Sequence, residues 1–131
     1  YIGVGVDRLE YTKALLKRLQ AIDLFFKKYK GMKGKFTFLQ VSVPTRMKEP
    51  YLSYKKAVEE LIIRINKKYS TFNWQPIVYL DKKLSIYELV AFYRMADVGI
   101  ISSIYDGMNL VAKEYVASQI DKKGVLILSE L

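Results

Sequence analysis

The stretch YDGMNLVAKEYVA, residues 105–117, contains residue types that bind anions and hydroxyl groups. Asp106, Gly107 and Asn109 precede an apolar helical pattern, so they stand where a helix begins. The first N–H groups of a helix are unpaired and lie at the positive end of its dipole, which suits a phosphate. Gly107 is expected to let the backbone turn tightly and come close to such a group. The amides that would bind it are those of Asn109, Leu110 and Val111.

Carboxylates and cations complete this set of polar groups. Glu114 lies four residues after Leu110, on the same helical face, and Asp106 lies just before the helix. Each carboxylate is placed to accept hydrogen bonds from a pair of hydroxyl groups. Arg8 and Lys13, from another segment of the chain, supply the opposite charge. Together these groups fit a diphosphate flanked by a ribose and a sugar.

Simpler interpretations exist for the same residues. An Asp-Gly pair before Asn109 is typical of an ordinary turn with an asparagine N-cap. Glu114 and Lys113 are also typical of the solvated face of a helix, and the two cations would then be surface charges near a loop. Gly3 and Gly5 resemble the start of a dinucleotide fingerprint. The third glycine is missing and both lie inside a strand pattern, which argues against a nicotinamide site.

Strand-like and helix-like patterns alternate along the chain and place these residues in loops. The predicted strands cover residues 1–6, 36–43, 77–80, 98–101 and 125–128. The predicted helices cover residues 12–29, a long stretch from about 50, 85–95 with a capping box at its start, and 110–118. This order predicts an α/β fold with a Rossmann-like parallel sheet and helices on both faces.

In a parallel sheet every strand-to-helix loop opens on the same edge, and ligands bind in the crevice there. The loops expected on that edge are residues 7–12, 44–49, 81–84 and 102–109. We therefore expect Arg8, Lys13, Arg46, Asp106 and Asn109 to converge on one side of the sheet, with Asp106 and Asn109 at the ligand crevice.

The composition excludes other kinds of site. The 131 residues contain neither cysteine nor histidine, so a thiolate or zinc site is not expected. No Asp-x-Asp pair is present to carry a metal-bound diphosphate, and neither a metal nor another cofactor is expected. No apolar run is long enough to cross a bilayer, and we expect a cytoplasmic protein. The net charge of +9 comes largely from scattered lysine doublets without interleaved aromatics, which favours a solvated surface over nucleic-acid binding.

Five stretches together resemble the trehalose-6-phosphate synthase family, in the same order and at matching intervals. They are GVDRLEYTK at 5–13, VPTR at 43–46, RIN at 64–66, DGMNLVAKEYVA at 106–117 and GVLILSE at 124–130. The resemblance implies one half of a two-domain GT-B glycosyltransferase. Residues 1–131 would be its nucleotide-sugar (donor) binding domain, incomplete at the C-terminus, with the amino-terminal acceptor domain absent.

The resemblance also implies an activity. It is the retaining transfer of glucose from UDP-glucose to glucose-6-phosphate, which gives trehalose-6-phosphate and UDP. The alternative is a catalytically silent regulatory relative that binds nucleotide sugar. The expected partners are the two substrates and the missing amino-terminal domain, but neither nucleic acid nor a membrane, and an oligomer of the full enzyme stays open. The fragment alone is expected to be inactive, because the absent domain supplies most acceptor contacts.

Residue roles follow from the resemblance position by position. Arg8 and Lys13 would grip the donor diphosphate and Asp106 would hold hydroxyls of the transferred glucose, and these three are the expected catalytic residues. Arg46 would reach the phosphate of the acceptor. The other expected donor-binding residues are Leu84, Leu89, Gly107, Met108, Asn109, Leu110, Val111, Ala112, Lys113 and Glu114.

Within that set, Glu114 would bind the ribose hydroxyls. Leu84 would contact uracil through its backbone, with Leu89 packing nearby. The chain departs from the family pattern at Ala14, where glycine is usual, and at Tyr105, where arginine is common.

Overall fold

A five-stranded parallel sheet positions the loops of the candidate site in the computed structural model, which describes residues 1–130. The strands are β1 (Ile2–Arg8), β2 (Thr37–Val43), β3 (Ile77–Leu80), β4 (Val98–Ile101) and β5 (Val125–Leu128). Their order across the sheet is β3-β2-β1-β4-β5, and every neighbouring pair is parallel. The predicted Rossmann-like sheet is confirmed. The strand order reverses direction between β1 and β4, where such folds form their ligand crevice.

Four α-helices connect the strands, as predicted. They are α1 (Leu15–Lys28), α2 (Tyr51–Tyr69), α3 (Ile86–Met95) and α4 (Leu110–Ser118). The helix predicted over residues 12–29 is divided, because Tyr11–Lys13 forms a separate 3-10 turn and Ala14 adopts a left-handed conformation with φ of 53°. The capping box at the start of α3 is confirmed: Ser85 Oγ accepts from the Glu88 N–H, and the Glu88 carboxylate accepts from the Ser85 N–H.

The helices cover both faces of the sheet. One core lies between the sheet and α1 and α2, and includes the fully buried Leu15, Phe38 and Ile77. The other lies under α3 and α4, and includes Val4 and Tyr93. Each fully buried apolar side chain of this size contributes roughly 1.5–3 kcal/mol, so the two cores hold the strand ends rigidly under the site.

The pairing of β1 with its two neighbours is unequal. With β2, β1 pairs along its whole length, from Ile2–Thr37 to Arg8–Val43. With β4 it pairs only at Gly3–Val98 and Val4–Gly99. Beyond those two pairs the carboxyl ends of β1 and β4 are no longer joined in a ladder, which opens a crevice between them.

The helix end that a dinucleotide phosphate would need is already occupied. At the start of α1, the Leu15 N–H donates to the Tyr54 Oη at 3.2 Å. Gly5 faces α1, and a Cβ at this position would lie 2.6 Å from Arg18 Nη1. Close packing of Arg18 and Phe38 therefore accounts for this glycine.

The lysine doublets lie on the surface, in agreement with the solvated-surface interpretation. Only Lys55 among them is partly buried, and it donates to Asp81 Oδ2 at 2.5 Å. Across residues 1–130, every helix falls short of the combination of length and hydropathy that crossing a bilayer requires.

Candidate functional site

Asp106 is the centre of a hydrogen-bond cluster in the loop between β4 and α4. Its Oδ2 accepts from Lys13 Nζ at 2.6 Å, from Asn109 Nδ2 at 2.7 Å and from Ser103 Oγ at 3.3 Å. The bond from the Lys13 ammonium, more than any other contact, lowers the pKa of the Asp106 carboxyl from its ordinary value. No described residue donates to Oδ1, so the carboxylate is held in place with one oxygen left to accept from a ligand.

The start of α4 offers unpaired main-chain N–H groups. The Asn109 side chain caps the helix, because its Oδ1 accepts from the Ala112 N–H at 2.9 Å. The N-cap interpretation of this asparagine is therefore right. The Ala112 N–H is already paired with the cap and is not free to bind a ligand. Among residues 1–130, no acceptor lies on the amides of Leu110 and Val111. These two N–H groups, at the positive end of the helix, form an anion-binding pair.

Gly107 does not have the backbone conformation that we expected. The chain bends at Gly107, but φ lies outside the left-handed region, so the turn itself does not require glycine. No heavy atom lies within 4 Å of the position that a Cβ would occupy. The absent side chain leaves open space beside Asp106 into which a ligand fits.

A cavity of about 300 Å³ lies between the end of β1 and the start of α4. Its charged and polar lining includes Arg8, Lys13, Asp106 and Asn109. The predicted convergence of these four residues is confirmed. The Arg8 side chain is 62% exposed and its Nη1 lies 3.4 Å from Glu10 Oε1, so the guanidinium is accessible from solvent. The cavity therefore combines two cations with the two free amides of α4.

Arg46 lies outside this cavity. It follows β2, is exposed, and its guanidinium stacks on Tyr51, with the Cζ atom 5.2 Å from the ring centroid. Tyr51 in turn stacks on Tyr11, with 6.3 Å between ring centroids, and Tyr11 belongs to the same 3-10 turn as Lys13. Arg46 is thus on the predicted edge of the sheet but at a different part of it.

Glu114 is exposed on α4 and held by a buried tyrosine. Tyr93 of α3 donates from its Oη to Glu114 Oε2 at 3.0 Å. Burial, reinforced by the nearby carboxylate, raises the pKa of the Tyr93 hydroxyl, so the tyrosine stays a donor at neutral pH. The Glu114 carboxylate is therefore oriented before any ligand arrives.

The remaining predicted residues surround this second carboxylate or the helix start. Leu84 is buried in the same core as Tyr93, so its side chain is not available to a ligand, and Leu89 packs against that core. Met108 and Lys113 are exposed, with Lys113 Nζ 3.1 Å from Met108 Sδ.

Three residues of this region were not singled out in the sequence. They are Ser103, which donates to Asp106, Tyr93, which donates to Glu114, and the buried Arg18. Arg18 could have been identified from the sequence, because it is a charged residue on the face of α1 where the helical periodicity predicts buried apolar side chains. Tyr93 carried no such signal, since its partner Glu114 lies in another helix, and Ser103 carried none because a serine three residues before an aspartate in a loop is common.

Within the described residues, 1–130, no group of three acidic side chains gathers as a metal site would require. Metal-independence stays a prediction. The free amides, the cations and the oriented carboxylates at the sheet's reversal point are the features of a doubly wound α/β domain that suits an anionic ligand with hydroxyl groups.

The chain belongs to glycosyltransferase family 20, whose family model matches residues 2–131. It is 48% identical over 128 residues to α,α-trehalose-phosphate synthase [UDP-forming] A of Dictyostelium discoideum, a match that covers 97% of this chain and 18% of the relative. The matched region spans only 18–27% of the length of the curated relatives compared.

Solved structures share the fold closely. An α,α-trehalose-phosphate synthase (UDP-forming) from Burkholderia xenovorans, in complex with glucose-6-phosphate, has a TM-score of 0.95 at 37% identity. An E. coli structure with UDP-2-fluoro glucose bound has the same TM-score and identity. Each match covers 98% of this chain and 29% of the solved chain.

Proposed function

We propose that this chain is the donor-binding half of a two-domain GT-B enzyme that transfers glucose from UDP-glucose to glucose-6-phosphate with retention. The observation that carries the proposal is the cavity between β1 and α4, where cations and free amides lie beside an oriented carboxylate. Membership of glycosyltransferase family 20 supports it, as do the relatives that are UDP-forming trehalose-phosphate synthases. The relatives' greater length supports a separate acceptor domain outside this chain.

The diphosphate of the donor binds between β1 and α4. The Arg8 guanidinium and the Lys13 ammonium face it from one side, and the amides of Leu110 and Val111 from the other. Charge-assisted bonds of this kind are about twice as strong as neutral ones. Lys13 has three N–H donors and gives one to Asp106, so it keeps others for a phosphate oxygen.

The two carboxylates bind the sugars on either side of the diphosphate. Asp106 Oδ1 accepts from hydroxyls of the glucose that is transferred, in the space left by Gly107. Glu114, oriented by Tyr93, accepts from the paired ribose hydroxyls. The backbone of Leu84 then lies beside the base, with Leu89 behind it. Arg46, presented by Tyr51, extends toward the phosphate of the acceptor.

Transfer breaks the bond between the glucose C1 and the diphosphate oxygen, forms a bond from C1 to the acceptor hydroxyl oxygen, and moves the hydroxyl proton to the departing diphosphate. Negative charge grows on the departing diphosphate as the first bond breaks. Arg8, Lys13 and the α4 amides are already oriented around that charge, so they stabilise the transition state without reorganising.

The full-length protein tests the proposal when it is incubated with UDP-glucose and glucose-6-phosphate. We expect trehalose-6-phosphate and UDP in equal amounts. Arg8→Ala should lower kcat/KM by a factor that corresponds to roughly 2–4 kcal/mol, as for other electrostatic deletions, while thermal unfolding changes little because the side chain fills no core space.

Arg94→Ala is the matched control, since Arg94 is an exposed arginine on α3, at the opposite end of the helix from its capping box. It should leave turnover unchanged. Normal turnover in the Arg8 variant, or no transfer by the wild type, would contradict the proposal.

A further inference from the structure

Arg18 is a buried cation to which the reaction above gives no task. It is 3% exposed and lies on the face of α1 that also carries Leu15, Leu19 and Ile22. Packing alone would favour an apolar residue there, and a buried guanidinium is costly unless it is paired and fully hydrogen-bonded. The partners of Arg18 indicate what it contributes.

The guanidinium contacts three neighbouring strands at once. Nη1 and Nη2 both donate to the Asp7 carboxylate at the end of β1. Nη1 also donates to Gln40 Oε1 of β2 at 3.0 Å, and Gln40 Nε2 donates to Asp7 Oδ2 at 3.2 Å. Nε donates to the Oγ of Ser102, the first residue after β4, at 2.9 Å. The fork of donors on an arginine suits this geometry, whereas a lysine has a single charged nitrogen.

This contact lies where the sheet opens. The ladder between β1 and β4 ends at the Val4–Gly99 pair, so the carboxyl ends of the two strands are not joined by main-chain bonds. Arg18 bridges them, through Asp7 on one side and Ser102 on the other. The side chain therefore links the two strand ends at the base of the crevice, beneath the Lys13–Asp106 pair and the main-chain bond from the Ile104 N–H to the Thr12 carbonyl.

Both ends of the bridge lead directly to the candidate site. Asp7 immediately precedes Arg8, the cation expected on the diphosphate. Ser102 begins the loop that carries Asp106, and its neighbour Ser103 donates to the Asp106 carboxylate at 3.3 Å. A change in the bridge would alter the separation of the diphosphate cation from the sugar-binding carboxylate.

We propose that Arg18 is a positioning residue, which acts through Ser102 to hold the Asp106 loop at the correct distance from Arg8 for glucosyl transfer. The inference rests on the proposed function. Arg18 itself touches neither substrate. It acts on the distance between the residues that hold the sugar and those that hold the diphosphate.

Removing Arg18 itself would leave Asp7 buried without its partner and could unfold the protein. The test is therefore made at Ser102 in the full-length protein. Ser102→Ala deletes the link to β4 and keeps the Arg18–Asp7–Gln40 contacts. Ser42→Ala is the control: Ser42 is fully buried on β2 and accepts from Gln40 Nε2 at 3.4 Å, but it lies on the side of the network away from β4.

We expect Ser102→Ala to lower kcat about tenfold or more, because small misplacements of reacting groups are costly, while KM for UDP-glucose changes less than about threefold. Ser42→Ala should keep kcat within about twofold, with the two variants matched in thermal unfolding. Ser102→Thr restores the hydroxyl and should restore kcat, since Ser102 borders a cavity of about 560 Å³ that accommodates a methyl group.

Three results would overturn the inference: an unchanged kcat in Ser102→Ala, equal losses in both alanine variants, or no recovery in Ser102→Thr. Failure of the proposed function is distinguishable, because in that case the wild-type protein transfers no glucose at all. If the wild type is active and Ser102→Ala has the same kcat, the positioning role of Arg18 is wrong and the proposed function still stands.

Discussion

Ala14 shows how one residue can depart from a family pattern at a structural cost. It joins the Tyr11–Lys13 turn to α1 with φ of 53° and ψ of 37°, a conformation that costs an L-residue about 1–2 kcal/mol. The resemblance implied glycine here, and glycine adopts this conformation without that cost. The alanine methyl group is buried, however, and burial of one such group is worth about 0.8 kcal/mol. Strain and burial therefore nearly cancel.

We predict that Ala14→Gly changes the free energy of unfolding by no more than about 0.5 kcal/mol. The relieved strain is offset by the lost methyl contact and by the greater entropy of glycine in the unfolded chain, about 0.4–1 kcal/mol. Ala21→Gly, at an exposed position inside α1, should destabilise by about 1 kcal/mol. Urea unfolding of both variants compares them. A larger loss in Ala14→Gly than in Ala21→Gly would show that the left-handed conformation is not strained.

At the scale of elements, α4 combines two kinds of recognition. Its first free amides and its dipole suit any phosphate, whereas Glu114, one turn further on, suits only a ligand with hydroxyl groups. Tyr93 of α3 holds the Glu114 carboxylate, so the packing of two helices orients the group that the proposed function places on the ribose. This division of roles along one helix can be tested with two ligands.

We predict that Glu114→Gln weakens UDP binding roughly tenfold, because it replaces a charge-assisted bond worth about 1–2 kcal/mol with a neutral one. Binding of inorganic pyrophosphate should hold steady or improve, since a nearby negative charge is removed. Titration calorimetry of both ligands on the same variant measures the two effects. Glu60→Gln, on the exposed face of α2, is a matched control that should change neither affinity. Equal losses of affinity for UDP and for pyrophosphate would show that Glu114 does not bind the ribose hydroxyls.

At the scale of the whole molecule, the site depends on the junction of two half-sheets. Cations come from β1 and its following turn, and amides and carboxylates come from the β4–α4 half. The Lys13–Asp106 pair joins the two halves directly, across 93 residues of sequence. The chain thus carries its own charges for a diphosphate, which is the basis for expecting no metal.

We predict that UDP binds this chain weakly and equally well with magnesium or with excess chelator, to within about twofold. Arg8, Lys13 and the amides of α4 meet the charge that a metal would otherwise neutralise. Chemical-shift mapping with and without chelator checks both the affinity and the place of binding. Strict dependence on magnesium or manganese, or shifts confined to regions away from the β1–α4 cavity, would contradict the prediction.

Much of this arrangement follows from local sequence alone. Hydrophobic periodicity and turn residues act over a few neighbours, so they were sufficient for the five strands, the four helices and the capping box of Ser85. Parallel topology by itself then predicts that Arg8, Lys13, Asp106 and Asn109 lie at one edge of the sheet. The N-cap at Asn109 was likewise a local property, and it was one of the two interpretations open for that residue.

Contacts between distant residues were decided only by the tertiary structure. Backbone strain at Ala14, the open space beside Gly107, and the contact of Tyr93 with Glu114 depend on packing that no short stretch of sequence encodes. The same holds for the Arg18 bridge, which exists because β1 and β4 separate after two pairs and leave a gap for a side chain to span. Sequence determined which chemical groups reach the crevice, and the packing of the sheet determined how far apart they stand.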